Sequence, residues 1–131
     1  MRDFMSVEDL HVYQKLCRLH IDVCEVSNDW PRHERFELTG QVRRSSNSAS
    51  AQLAEKHDDR HVRNKIEGVN GSRGEVGETI HHLYMANLKR YIESKQYRSF
   101  KDRYKECIRM LNGMERTLEK QLPERDRRWF S

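Results

Sequence analysis

Between Pro31 and Pro123 the chain runs for roughly ninety residues without a proline, the residue that a helix interior tolerates least. Apolar residues within that span recur at helical rather than strand spacing. Leu38, Val42, Ser45, Ala49 and Leu53 form one stripe of a helix predicted over residues 36–56. Half of that stripe is small, so a neighbouring backbone can approach it closely. Residues 45–51 mix poor helix formers with alanine, so packing rather than propensity must hold this helix. Arg43 and Arg44 lie off the stripe, beside Gln41.

A chain of 131 residues makes one domain large enough to bury a core. Hydrophobic and charged residues each make up 35% of it, a balance that suits long amphipathic helices better than sheets. No stretch approaches the ~20 apolar residues of a membrane span, and the N-terminus lacks the basic-then-apolar layout of a signal peptide. Cys17, Cys24 and Cys107 are an odd count without a framework spacing. They read as reduced, buried thiols of a cytoplasmic protein.

The first helix is expected over 6–27, with Glu8 and Asp9 suiting its N-terminal dipole. It has two apolar faces. Leu10, Tyr13, Cys17, His20, Ile21 and Cys24 make one; Val12, Leu16, Leu19, Val23 and Val26 make the other. A small bundle cannot easily enclose one helix completely, so the second face is expected to be the interface of a homo-oligomer. Asn28-Asp29-Trp30-Pro31 is a turn. The third helix, over 60–91, carries Ile66, Val69, Val76, Ile80, Tyr84 and Tyr91 on a stripe that also holds Arg73 and Asn87. Gly68, Gly71, Gly74 and Gly77 recur every third residue, permitting close packing, a kink, or a break at Asn70-Gly71. A continuous helix makes Arg73 face the core or an interface, and it then needs an acidic partner, with Glu37 or Glu55 as candidates. The fourth helix, over 97–122, has the clearest stripe: Phe100, Tyr104, Cys107, Leu111, Met114 and Leu118. The expected fold is all-α, an antiparallel up-down-up-down four-helix bundle over 1–123 with a basic-aromatic tail at 124–131.

Charge is unevenly distributed. Residues 89–109 hold eight basic and three acidic groups, a local net charge of +5 against +4 for the whole chain. Such an excess favours a polyanionic partner. Arg98, Lys105, Arg109, Arg116 and Lys120 line up opposite the apolar stripe of the fourth helix, interrupted only by Asp102. Arg98 to Arg109 spans about 16 Å at ~1.5 Å per residue, enough for several phosphates along a backbone. No aromatic residue interleaves that row. The candidate nucleic-acid-binding set is Arg43, Arg44, Lys89, Arg90, Arg98, Lys101, Lys105, Arg109 and Arg116.

Catalytic readings are weaker. His57 and His61, with Asp58 and Asp59, have a metal-like spacing, but the sequence fixes no third ligand, and no metal or other cofactor is expected. Cys17, His20 and Cys24 share one helix face, where packed thiols are usually inert. The glycines of residues 68–77 match neither a Walker A loop nor a dinucleotide fingerprint. No catalytic residue is assigned.

Three blocks carry a family resemblance. The first is Phe36-Glu37-Leu38, Gln41-Val42-Arg43-Arg44, Ser48 and Ala51-Gln52-Leu53-Ala54-Glu55. Gly71-Ser72, Glu75, Leu83 and Ala86 follow on the third helix, and Arg109-Met110-Leu111-Asn112-Gly113-Met114 on the fourth. In this order the blocks resemble the bacterial four-helix-bundle family that includes proteins encoded by intervening sequences of 23S ribosomal RNA genes. That family also includes relatives of the accessory variability determinant of diversity-generating retroelements. Asn47, Ser50, Gln52 and Lys56 depart from its usual apolar residue, proline, asparagine and glycine. The resemblance implies a small helical subunit commonly assembled into a pentameric ring. Its retroelement branch implies binding to a reverse transcriptase and to nucleic acid, whereas its intervening-sequence branch has no assigned catalysis.

The function expected is therefore a non-enzymatic basic scaffold. It binds RNA or an RNA–DNA hybrid, as accessory subunit to a retroelement reverse transcriptase. The alternative is a 23S rRNA intervening-sequence protein with a ribosomal-RNA-associated or purely protein-scaffold role.

Overall fold

The computed structural model describes residues 5–128. Four α-helices carry the fold there: α1 (His11–Ser27), α2 (Leu38–Lys56), α3 (Val62–Leu88) and α4 (Ser94–Glu119). No strand occurs among the described residues. Each helix packs on its neighbour in sequence and α1 closes against α4, which with short connections gives the four-helix bundle expected. The helix starts are local decisions. Ser6 and Asp9 form a capping box around a 3-10 turn at Val7–Asp9, so α1 begins at His11 rather than near Ser6. Glu93 and Gln96 form a second capping box that starts α4 at Ser94.

The core draws on all four helices: Leu16 and Val23 of α1, Val42 and Ala49 of α2, Val76 and Leu83 of α3, Tyr104 and Leu111 of α4, none of them measurably exposed. This corrects the reading of α1. Val12, Leu16, Leu19 and Val23 are core residues of their own chain, with Val26 packed against them, and are not an outward interface. The outward row is the other one, in which Ile21 is 45% exposed and Tyr13, Cys17, His20 and Cys24 are half-buried. Periodicity cannot say which of two apolar rows goes inside. Chemistry can: the aliphatic row buries no polar atom, whereas the other would bury a phenol and an imidazole.

The α2–α3 contact is the tightest. A Cβ on Gly68 would stand 2.6 Å from the Lys56 Cβ and 3.2 Å from the Gln52 carbonyl oxygen, so the glycine lets the two backbones approach. Ser72 donates to the Ala49 carbonyl at 2.6 Å, and the Ser45 and Thr79 hydroxyls lie 2.7 Å apart. The small stripe thus binds α3 through hydrogen bonds as well as contact. α3 is one continuous helix, with no break at Asn70-Gly71. Arg73 is paired, but with Glu115 of α4 at 2.7 Å and with Asn112 and Asn70, not with Glu37 or Glu55 of α2. The sequence supplied the need for a partner without the rotation of α3 that selects it.

Two polar knots close the ends. Glu34, 1% exposed in the α1–α2 connection, accepts from Lys89 Nζ at 2.6 Å, from the Tyr91 hydroxyl at 2.8 Å and from the Leu38 amide. At the other end, Asp126 pairs with Arg63 at 2.8 Å, and Arg127 donates to the Lys120 and Leu122 carbonyls. Residues 124–128 are therefore folded onto the end of α4 and not a separate arm. Trp129 and Phe130 lie outside the described residues.

Candidate nucleic-acid interface

Helical spacing places Arg98, Lys101, Lys105, Arg109 and Arg116 on the outward side of α4, opposite Phe100, Tyr104, Cys107 and Leu111. All five are exposed. Among the described residues no carboxylate lies within ion-pair reach of Arg98, Lys101, Lys105 or Arg109. Several neighbouring cations are matched. Arg103, one step off the row, pairs with Asp22 at 2.7 Å, and Lys15 with Glu106 at 2.8 Å. Arg98, Lys101, Lys105 and Arg109 therefore stand outside any ion pair among the described residues.

The structure adds aromatic groups that the row itself does not contain. Lys101 Nζ stands 6.0 Å from the centre of the Tyr97 ring, which packs at 5.5 Å against Tyr84 of α3. Tyr84 is 45% exposed, so an unpaired lysine and an accessible aromatic edge share one surface. Reading α4 alone could not find Tyr84, because it arrives from another helix.

Arg90 belongs to the same end of the bundle and is exposed. The Tyr91 amide bonds the Ala86 carbonyl at 2.9 Å and the Arg90 amide the Asn87 carbonyl at 3.0 Å, the double bond of a Schellman cap. That cap puts Arg90 at φ 66°, where glycine is the usual occupant. No ion-pair partner of Arg90 lies among the described residues, and its left-handed conformation is the one that the cap requires.

Three candidates do not join this surface. Arg43 is half-buried and caps the end of α1, donating to Ser27 Oγ, the Cys24 carbonyl and Asn28 Oδ1 at 2.9–3.1 Å. Arg44 pairs with Glu78 at 2.7 Å, and Lys89 with Glu34. Each answers a charge or carbonyl dipole that folding brings near it, which neighbouring sequence does not reveal. Arg127 and Arg128 are likewise engaged, Arg128 through its amide to Glu119 and its guanidinium toward Glu115.

Several other titratable groups are shifted by burial or by one another. Burial pushes the Glu75 carboxyl up, while its hydrogen bond to Glu78 holds that neighbour below the usual range. Burial also lowers His82 and His20 and pushes the Cys107 thiol up to about 11, which keeps it protonated and unreactive. Cys24 Sγ lies 3.6 Å from His20 Nε2, whose ring also bonds Ser46 Oγ; Cys17 stands apart from that chain. His57 bonds the Met5 carbonyl, and Asp59 takes the His61 amide, so each is held by backbone. No group of three metal-ligating side chains occurs among the described residues. No helix there is long and apolar enough to cross a membrane.

Fold and surface together define a small all-helical bundle with an exposed basic row on α4. The chain belongs to the family of 23S rRNA-intervening sequence proteins, whose sequence model matches residues 8–113. A solved structure of similar shape is a protein of unknown function from the S23 ribosomal protein family of Bacteroides thetaiotaomicron. It has TM-score 0.71 and 20% identity, and the match covers 79% of this chain and 97% of that one. At that identity the likeness shows the fold alone. No protein of curated function matches this chain.

Proposed function

We propose that this chain is a non-enzymatic helical scaffold that binds the phosphate backbone of structured RNA or of an RNA–DNA hybrid along the outward row of α4. The observation that carries the reading is the contrast between Arg98, Lys101, Lys105 and Arg109, which have no carboxylate within ion-pair reach, and cations such as Arg73, Arg103 and Lys89, which are paired. Surface cations left unmatched along about 16 Å meet a polyanion at no cost in broken ion pairs. Lysine and arginine on phosphate give affinity without sequence choice, and Tyr84 beside Lys101 offers a stacking edge to an unpaired base.

Assembly into a homo-oligomeric ring, pentameric by the resemblance, would repeat the row around one axis and multiply its avidity. Light scattering tests this: a ring of five has about five times the 15.8 kDa chain mass, and a monomer at micromolar concentration contradicts it. A reverse transcriptase as partner is the narrower, retroelement form of the proposal and rests on the family resemblance. It expects a reverse-transcriptase gene with template and variable repeats alongside, where the intervening-sequence form expects an enclosing 23S ribosomal RNA gene. The direct experiment is fluorescence anisotropy with a labelled RNA hairpin at low salt. Binding by the native chain, weakened when Arg98, Lys105 and Arg109 all become glutamine while helicity is kept, supports the proposal. Equal binding by both proteins, or none by either, overturns it.

A further inference from the structure

A second feature of the bundle is independent of the basic row. Where α2 ends and α3 begins, α4 leaves a cavity of about 560 Å³, within the range of small-molecule sites. Its walls are Leu53, Val69, Met114 and Leu118. Gly113 also lines it, and a Cβ built there would meet no atom within 4 Å. Alanine at 113 would improve helix propensity, yet the position is glycine and leaves the cavity wall open there.

Lys56 and Lys65 line the same cavity from the last turn of α2 and the first turn of α3. Both are half-buried, and neither has an ion-pair partner among the described residues. The nearby Asp59 is turned to the His61 amide at 2.8 Å and to Asn64 at 3.1 Å. Thr117 adds a hydroxyl to the lining, and its Oγ1 donates to the Gly113 carbonyl. A largely apolar cavity whose lining includes two lysines outside any ion pair among the described residues is complementary to one ligand chemistry.

We propose that this cavity binds a small amphiphilic anion. Its apolar body, roughly ten to fifteen non-hydrogen atoms, would lie between Leu53, Val69 and Leu118, with one carboxylate or comparable anion held by Lys56 and Lys65. Burial of the body supplies affinity, and the charge-assisted bonds select the sign of the head group.

Calorimetric titration of the full chain with decanoate, and with decyltrimethylammonium as the matching chain of opposite charge, tests this. The native protein binds decanoate saturably and the cation about tenfold more weakly, and decanoate shifts the amide resonances of Gly113 and Thr117. Gly113→Phe fills the chamber and removes binding. Lys56→Met with Lys65→Met, both changed at a half-exposed rim, keeps the fold and removes the preference for the anion. No saturable decanoate binding, equal binding of the two amphiphiles by the native chain, or an undiminished preference in the double lysine variant overturns the proposal.

Discussion

Glu34 shows what a single residue does here that its sequence neighbours do not announce. Its carboxylate is almost fully buried, yet Lys89, Tyr91 and the Leu38 amide all donate to it. The hydrogen bond from Lys89 is the largest influence holding its pKa below the usual glutamate range. The sign follows from linkage: stability from this group is fully present above about pH 4.5, and is lost as pH falls through the lowered folded pKa. Glu34→Gln is expected to lower stability at pH 7 by about 2 kcal/mol, less than for a fully enclosed pair because Lys89 is 42% exposed. The difference should shrink as pH falls toward 3, read as thermal midpoints across pH. Arg90 makes the opposite case. Arg90→Gly relieves a left-handed residue and is expected to stabilise the fold by about 1 kcal/mol, while weakening RNA binding by removing one cation. Loss of stability, or unchanged RNA binding, would show that its side chain has another task. Neither assignment was legible beforehand, since Glu34 meets Lys89 only through tertiary structure, and Arg90 looks like any other arginine of a basic segment.

At the scale of elements, the stripes on α2 and α4 were readable because one apolar face at helical spacing has one way to be buried. α1 was misread because it has two, and only the phenol and imidazole on the outward row distinguish them. The glycines of α3 show the same limit. Four recur at equal spacing, but Gly68 lies against Lys56 and the Gln52 carbonyl, whereas nothing stands within 4 Å of a Cβ on Gly74 or Gly77. Gly68→Ala is therefore expected to force α2 and α3 apart and cost about 1–3 kcal/mol. Gly74→Ala and Gly77→Ala are each expected to stabilise by up to about 1 kcal/mol through helix propensity. Urea denaturation of the three variants checks this. A uniform response would mean that the α2–α3 approach does not depend on Gly68.

For the whole molecule, the bundle follows from a long proline-free span, stripes at helical spacing and short connections, and membership of the 23S rRNA-intervening sequence family agrees with it. The basic face proposed to bind nucleic acid was half legible. Composition located the excess charge on α4, but not which cations the fold would neutralise, nor that Tyr84 would arrive from α3 beside Lys101. The central claim is that Arg98, Lys101, Lys105 and Arg109 on α4 form a phosphate-binding surface. Its most direct test is the salt dependence of binding to an RNA or DNA duplex, with the native chain compared with the Arg98→Gln, Lys105→Gln, Arg109→Gln variant. Each phosphate contact contributes a slope of roughly −0.9 to log affinity against log salt on a duplex, so losing three contacts should flatten the slope by about 2.7. The account predicts that flattening, with affinity lowered evenly across sequences and the bundle still helical. Parallel salt dependences for the two proteins would contradict it.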